Sequence, residues 1–152
     1  MPDRLLARSI VALCLPVITA ACASLAPSGN ALPPGAVLMA TPAVYLEWHA
    51  KTEQCSGRTG SFGTLEFYVV PGVETFPTSD GLKVGEWITA GSSSRIVVAG
   101  KYQDHEMVVR HEMLHSLLRA EGHPSEYFVN RCRLTWESWN DPLESVALAS
   151  PE

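Results

Sequence analysis

Arg95-Ile96-Val97-Val98-Ala99-Gly100, followed after a polar break by Met107-Val108-Val109-Arg110-His111-Glu112-Met113-Leu114-His115-Ser116-Leu117-Leu118, is the stretch in which the hydrophobic period changes. The first run is β-branched and apolar and ends at a glycine, which predicts a strand. In the second, Met107, His111, Leu114 and Leu118 recur three to four residues apart, with Val108 and His115 beside them. That spacing predicts an amphipathic helix over 105–120. Asp104 is placed to cap its start, and Gly122 followed by Pro124 to stop it.

Working back from this junction, residues 64–70 (Thr-Leu-Glu-Phe-Tyr-Val-Val) are aromatic and β-branched and end at Pro71-Gly72, a strand and a turn. Asp80-Gly81 marks a second turn before an expected strand at 84–89, and residues 90–94 form a Gly/Ser loop. Between 44 and 52, Val44, Leu46 and Trp48 alternate with polar positions, so a strand and a short helix running through Glu53 compete. Beyond Pro124, a helical turn is expected at 126–130 and a short strand at 131–136. A few mostly antiparallel strands packed on one long helix make an α+β fold. No internal repeat is present.

The amino terminus reads as an export signal over residues 1–21. Arg4 and Arg8 supply its positive region, and Ile10 to Ala20 an apolar core too short for a permanent membrane span. Ile18-Thr19-Ala20-Ala21-Cys22 resembles a bacterial lipobox, which implies lipidation of Cys22 and an envelope lipoprotein held to the membrane by that lipid alone. Thr19 departs from the usual Leu, and simple secretion is the alternative. Residues 22–43, rich in Ala, Ser, Pro and Gly, are expected to be a flexible tether, with one domain over 44–152. Setting aside residues 1–21 leaves 9 basic residues against 15 acidic ones. With no basic stripe, nucleic acid is excluded as a partner. Cys14 lies in the signal and Cys22 carries lipid, which leaves Cys55 and Cys132. An oxidising compartment favours a disulfide between them.

His111-Glu112-x-x-His115 has a direct chemical rationale. Residues four apart on a helix project side by side, so both imidazoles can reach one ion. Zinc accepts neutral imidazole and keeps a fourth position open for water. Glu112, beside the first ligand, can take a proton from that water and later pass it to a leaving amine. The plain alternative is a solvated helix face carrying two surface histidines.

The stretch from Val108 to Leu117 resembles the extended signature of the zincin metallopeptidases, which wants uncharged residues around the motif and a hydrophobic one two places after the second His. The resemblance covers about twenty residues. It implies a small zincin-like domain in which Arg95–Gly100 is the edge strand that lines the cleft and pairs with extended peptide. His123 after Gly122 then resembles the third ligand of the metzincins, but two extra residues intervene, Leu118 stands where those proteins have Gly, and no later Met can form their Met-turn. Glu137, with Asp141 four residues on, is the alternative third ligand in the manner of the gluzincins; Glu126 and Glu121 are remoter ones. A peptidase also needs a group to stabilise an oxyanion; Tyr127 is the first candidate, then Tyr102 and Arg119. His49, His105 and the four tryptophans read as structural. The expected function is a Zn2+-dependent hydrolase, a monomeric peptidase acting on peptide or protein. The rivals are a non-catalytic envelope lipoprotein held together by zinc, and a zinc amidase acting on cell-wall material.

Overall fold

The computed structural model describes residues 30–140; the expected export signal, Cys22 and Asp141 lie outside them. The fold is α+β. The main sheet has four strands in the order β1 (Val37–Leu38), β2 (Leu65–Val70), β6 (Ser93–Ala99), β5 (Gly85–Ala90). β1 runs antiparallel to β2 and β5 antiparallel to β6, while β2 and β6 are parallel, with Phe67 opposite Ile96. A separate hairpin pairs β3 (Phe76–Thr78) with β4 (Gly81–Lys83) around the predicted Asp80-Gly81 turn.

β6 is the central strand, and its residues alternate between two cores. Ile96 and Val98 pack with Phe67 and the helices, while Val97 and Ala99 pack with Val70, Phe76 and Ile88 on the opposite face. Both faces are covered, so the run is continuously apolar rather than alternating. Arg95–Gly100 is therefore not the edge strand. β5 occupies that edge beside the long helix, and the expected role of Arg95–Gly100 is corrected accordingly.

The competition over residues 44–52 goes to helix. α1 spans Val44–Ser56 and buries Tyr45, Trp48, His49, Thr52 and Ser56 at helical spacing. The 44/46/48 alternation is incidental, because Val44 and Leu46 remain exposed. Gly57 closes α1 in the left-handed conformation (φ 67°), its N–H bonded to the Glu53 carbonyl.

α2 (Glu106–Leu118) packs between α1 on one side and β5 and β6 on the other. It buries Met107, Val108, Val109, Met113 and Leu114 together with Arg110, Glu112 and His115. Its burial thus extends well beyond the single stripe of an amphipathic helix. Arg110 is satisfied where it is buried: it donates to Thr52 Oγ1 (3.1 Å) and to Glu106 Oε1 (2.9 Å). Asp104 is not the cap; His105 holds that position, without a side-chain cap bond. The stop also comes earlier than Gly122, at Arg119 in the left-handed conformation (φ 53°). Arg119 is held there by bonds to Ser94 Oγ on β6 and to the Gly91 carbonyl, which tie the end of α2 to the β5–β6 hairpin.

Two further expectations change. Residues 131–136 form no strand; a π-helical segment, Glu126–Arg131, precedes them and α3 (Trp136–Asn140) begins at their end. Residues 37–38 pair with β2, Met39 N–H bonds to the Phe67 carbonyl, and Leu32 and Ala36 pack on the second core. The chain from Leu32 onward is thus built into the domain rather than being tether. Cys55 and Cys132 stand at disulfide distance (S–S 1.98 Å), joining the end of α1 to the end of the π-helical segment.

Candidate metal centre

The site forms where α2 passes the segment that follows it. His111 and His115 lie one helical turn apart. The chain reverses after Arg119 and brings His123 back over them. Their Nε2 atoms converge: His111 to His123 is 2.9 Å, and His115 stands 3.2 Å from each of the other two. Among the described residues these three histidines are a group that can hold a metal ion.

The opposite ring nitrogens decide what the convergence means. His111 Nδ1 lies 2.6 Å from the Leu134 carbonyl and His115 Nδ1 2.7 Å from the Ala120 carbonyl. A carbonyl oxygen only accepts, so each Nδ1 carries the proton and each Nε2 turns a bare lone pair inward. His111 and His115 therefore do not hydrogen-bond to each other. Two lone pairs face one another with a third ring alongside, an arrangement that calls for a cation. Tetrahedral zinc with nitrogen bonds of 2.0–2.1 Å would separate adjacent ligands by roughly 3.3 Å. The observed spacings fit that donor set. Burial holds both His111 and His115 at about 4, well below the usual imidazole value, and lowers His123 too. All three are thus neutral and ready to ligate near neutral pH.

Glu112 is 6% exposed and His115 5%, which removes the solvated-face alternative. Burial raises the Glu112 carboxyl to about 8, against smaller downward pulls from the Lys83 charge and the Trp87 backbone; the Glu86 charge adds to the rise. Room for this carboxyl exists because β5 begins with glycine. A Cβ on Gly85 would stand 2.7 Å from Glu112 Oε1.

His111, Glu112, His115 and His123 open onto a cleft of about 790 Å³ between the β3–β4 hairpin with β5 on one wall and α2 and the Leu134–Glu137 segment on the other. Lys83 on its wall is held by Asp80 and Glu86, each at 3.3 Å. Trp87 lies parallel to the His115 ring, with centroids 6.2 Å apart.

The alternatives for the third ligand fall elsewhere. Glu137 and Glu121 line the cleft but lie outside the three-histidine group, and Glu126 is exposed and paired with Arg131. The oxyanion expectations are corrected as well. The Tyr127 hydroxyl accepts a bond from Arg58 (2.6 Å), and its ring is flanked by Arg58 and Arg131, away from the cleft. Tyr102 packs on His105 and Trp136, and Arg119 is engaged with Ser94 and Gly91; neither lines the cleft. His49 is buried beside Glu53, and His105 packs between Tyr102 and Trp136, away from the metal group as expected.

Sequence reasoning missed the two carbonyls that orient the rings, the Gly85 gap and the Trp87 wall. Main-chain acceptors carry no residue signature, and Gly85 acquires its role only through a helix more than twenty residues away. No protein-family model matches this chain, and no curated protein or solved structure was found to be similar to it.

Proposed function

We infer that the chain is a zinc-dependent hydrolase, best read as a zincin-like metallopeptidase of the bacterial envelope, with His111, His115 and His123 as ligands and Glu112 as the catalytic carboxylate. The observation that carries this reading is the inward convergence of three Nε2 atoms, two of them made lone-pair donors by carbonyls behind them. The neighbouring buried carboxyl and the open cleft supply the rest.

The chemistry supplied by a bound divalent cation is Lewis acidity toward a substrate carbonyl and a water molecule. Around it, the three imidazoles stay neutral, and their Nδ1–H bonds keep the rings aimed. Glu112 Oε1 or Oε2 takes the proton of the attacking water and passes it to the leaving amine. Burial makes this carboxyl ionise only reluctantly; a nearby cation favours its charged form, so base strength and metal occupancy are linked. β5, the edge strand on the cleft wall, offers main-chain groups to an extended peptide. The paired Cys55 and Cys132 suit an oxidising compartment, and this supports export through the amino-terminal segment, with Cys22 as lipid anchor.

The test is Glu112→Gln in the exported domain. Zinc content by metal analysis should equal wild type, while hydrolysis of a quenched fluorescent peptide library falls by about a thousandfold or more. Undiminished turnover would remove Glu112 from the chemistry, and a wild-type protein that holds no zinc would remove the reading altogether.

A further inference from the structure

The three imidazoles share a neighbour that neither the ligand set nor the catalytic carboxylate involves. Phe128 is fully buried, and its ring centroid lies 4.8 Å from that of His111, 4.7 Å from His115 and 4.9 Å from His123. No other aromatic ring among the described residues packs against all three. Trp87 touches His115 and does so at 6.2 Å.

We propose that Phe128 is the positioning residue of the metal centre, an apolar floor that holds three imidazoles in ligating geometry before a metal arrives. This rests on the three-histidine reading above. Two of the rings have a second anchor, the Leu134 and Ala120 carbonyls behind their Nδ1 atoms. His123 has no such main-chain bond among the described residues. It lies on an exposed loop, and besides the other two imidazoles its ring packs on Phe128. An exposed loop histidine without that floor would sample many rotamers, and ordering it would weigh against metal binding.

The local backbone explains why Phe128 can serve all three. It sits in the π-helical segment, where the Cys132 N–H reaches back to the Tyr127 carbonyl over five residues. Such a widened turn re-aims a side chain relative to an α-helix, and π-turns recur at functional sites for that reason. The segment is locked at both ends. Phe128 N–H bonds to the Pro124 carbonyl, immediately after His123, and the Phe128 carbonyl accepts from Leu134 N–H at 2.7 Å. Leu134 then offers its own carbonyl to His111. One residue thus touches the third ligand through packing and the first through both packing and the main chain. The ring also closes the rear of the site to water, which strengthens electrostatic attraction between the imidazoles and a cation.

The experiment compares Phe128→Leu with Phe67→Leu, an equivalent truncation in the same core that does not touch the histidines. Zinc affinity is measured by competition with a chromophoric chelator, and the cobalt-substituted forms are compared by visible absorption. Phe128→Leu should weaken zinc by about tenfold or more and alter the cobalt spectrum, as loss of an outer-shell support does. Phe67→Leu should leave both within twofold, although its thermal midpoint also falls. Equal affinity and an unchanged spectrum in Phe128→Leu, in a wild type that does bind zinc, would overturn the proposal. So would an equal loss in both variants, which would mean general loosening. Absence of zinc from the wild type would instead count against the metal centre itself. Should Phe128→Leu lose its cooperative transition, Phe128→Met, longer and more adaptable than Leu, takes its place with the same two readouts.

Discussion

At the scale of single residues, the centre depends on small allowances around large groups. Gly85 leaves the space that Glu112 fills; a methyl there would meet the carboxylate at 2.7–3.1 Å. Gly85→Ala should therefore displace the carboxylate and lower turnover on the order of tenfold to a hundredfold while zinc content stays unchanged, as steady-state kinetics with metal analysis would report. Protonation offers a second test, on metal-free protein. Burial raises the Glu112 carboxyl in the folded state to about 8 from an ordinary value of 4.5. Between these values the folded chain holds a proton that the unfolded chain has lost, so its contribution is complete below pH 4.5 and declines as pH rises toward 8. His111 and His115 act in the opposite sense. Their values near 4 mean that the unfolded chain takes up protons first, and their contribution is lost as pH falls below 6.5. At pH 6.5 the two imidazoles are still half protonated in the unfolded chain and offset the carboxyl; about one pH unit higher they are neutral in both states, and of this set the carboxyl alone acts. Denaturant unfolding of the apoprotein from about pH 7.5 to about pH 8.5 should show stability declining, by less than about 1.4 kcal/mol per pH unit, and Glu112→Gln should lack that slope.

At the scale of elements, the motif helix was legible because its period is written in its apolar residues, and the strands at 64–70 and 95–100 because β-branched runs ended at turn residues. The ends of α2 were not legible. Arg119 takes the left-handed cap because its guanidinium finds acceptors on the β5–β6 hairpin, contacts that a local pattern of Asp104 and Gly122 does not contain. α1 shows the same limit, since its alternating start suited a strand and only the burial of Tyr45, Trp48 and Thr52 together on one face selects helix. Its end has a clear test. Gly57 sits at φ 67° with no severe contact waiting for a Cβ, the nearest atom being Arg131 Nη1 at 3.5 Å. Gly57→Ala should thus cost only the backbone term, about 1 kcal/mol by chemical denaturation, without changing zinc affinity.

At the scale of the whole molecule, one covalent tie and, on the proposed reading, one ion share the task of holding the carboxy-terminal segment against the helices. Cys55 and Cys132 are 77 residues apart, so in the chain-entropy model their link contributes about 4 kcal/mol. The double substitution Cys55→Ser with Cys132→Ser should lower unfolding free energy by about that amount. It should also weaken zinc, because Cys132 lies between Phe128 and Leu134, the two residues that support His111. Zinc at a hundred times its dissociation constant should raise the melting temperature by about 10 °C, and a chelator should reverse the gain. A melting temperature indifferent to both would mean that no ion binds the folded state in preference to the unfolded one.

From its residues alone the chain determined the α+β class, the motif helix, the cysteine pairing and His111, Glu112 and His115 as a set, because periodicity and i, i+4 spacing are local properties. Tertiary structure alone decided that β5 rather than β6 takes the sheet edge, that Leu32 onward belongs to the domain, that Tyr127 turns away, and that His123 rather than Glu137 joins the pair. Each of these turns on which distant backbone comes to lie alongside. That choice is made by the simultaneous burial of two cores and the pairing of buried polar groups, and no window of sequence contains it.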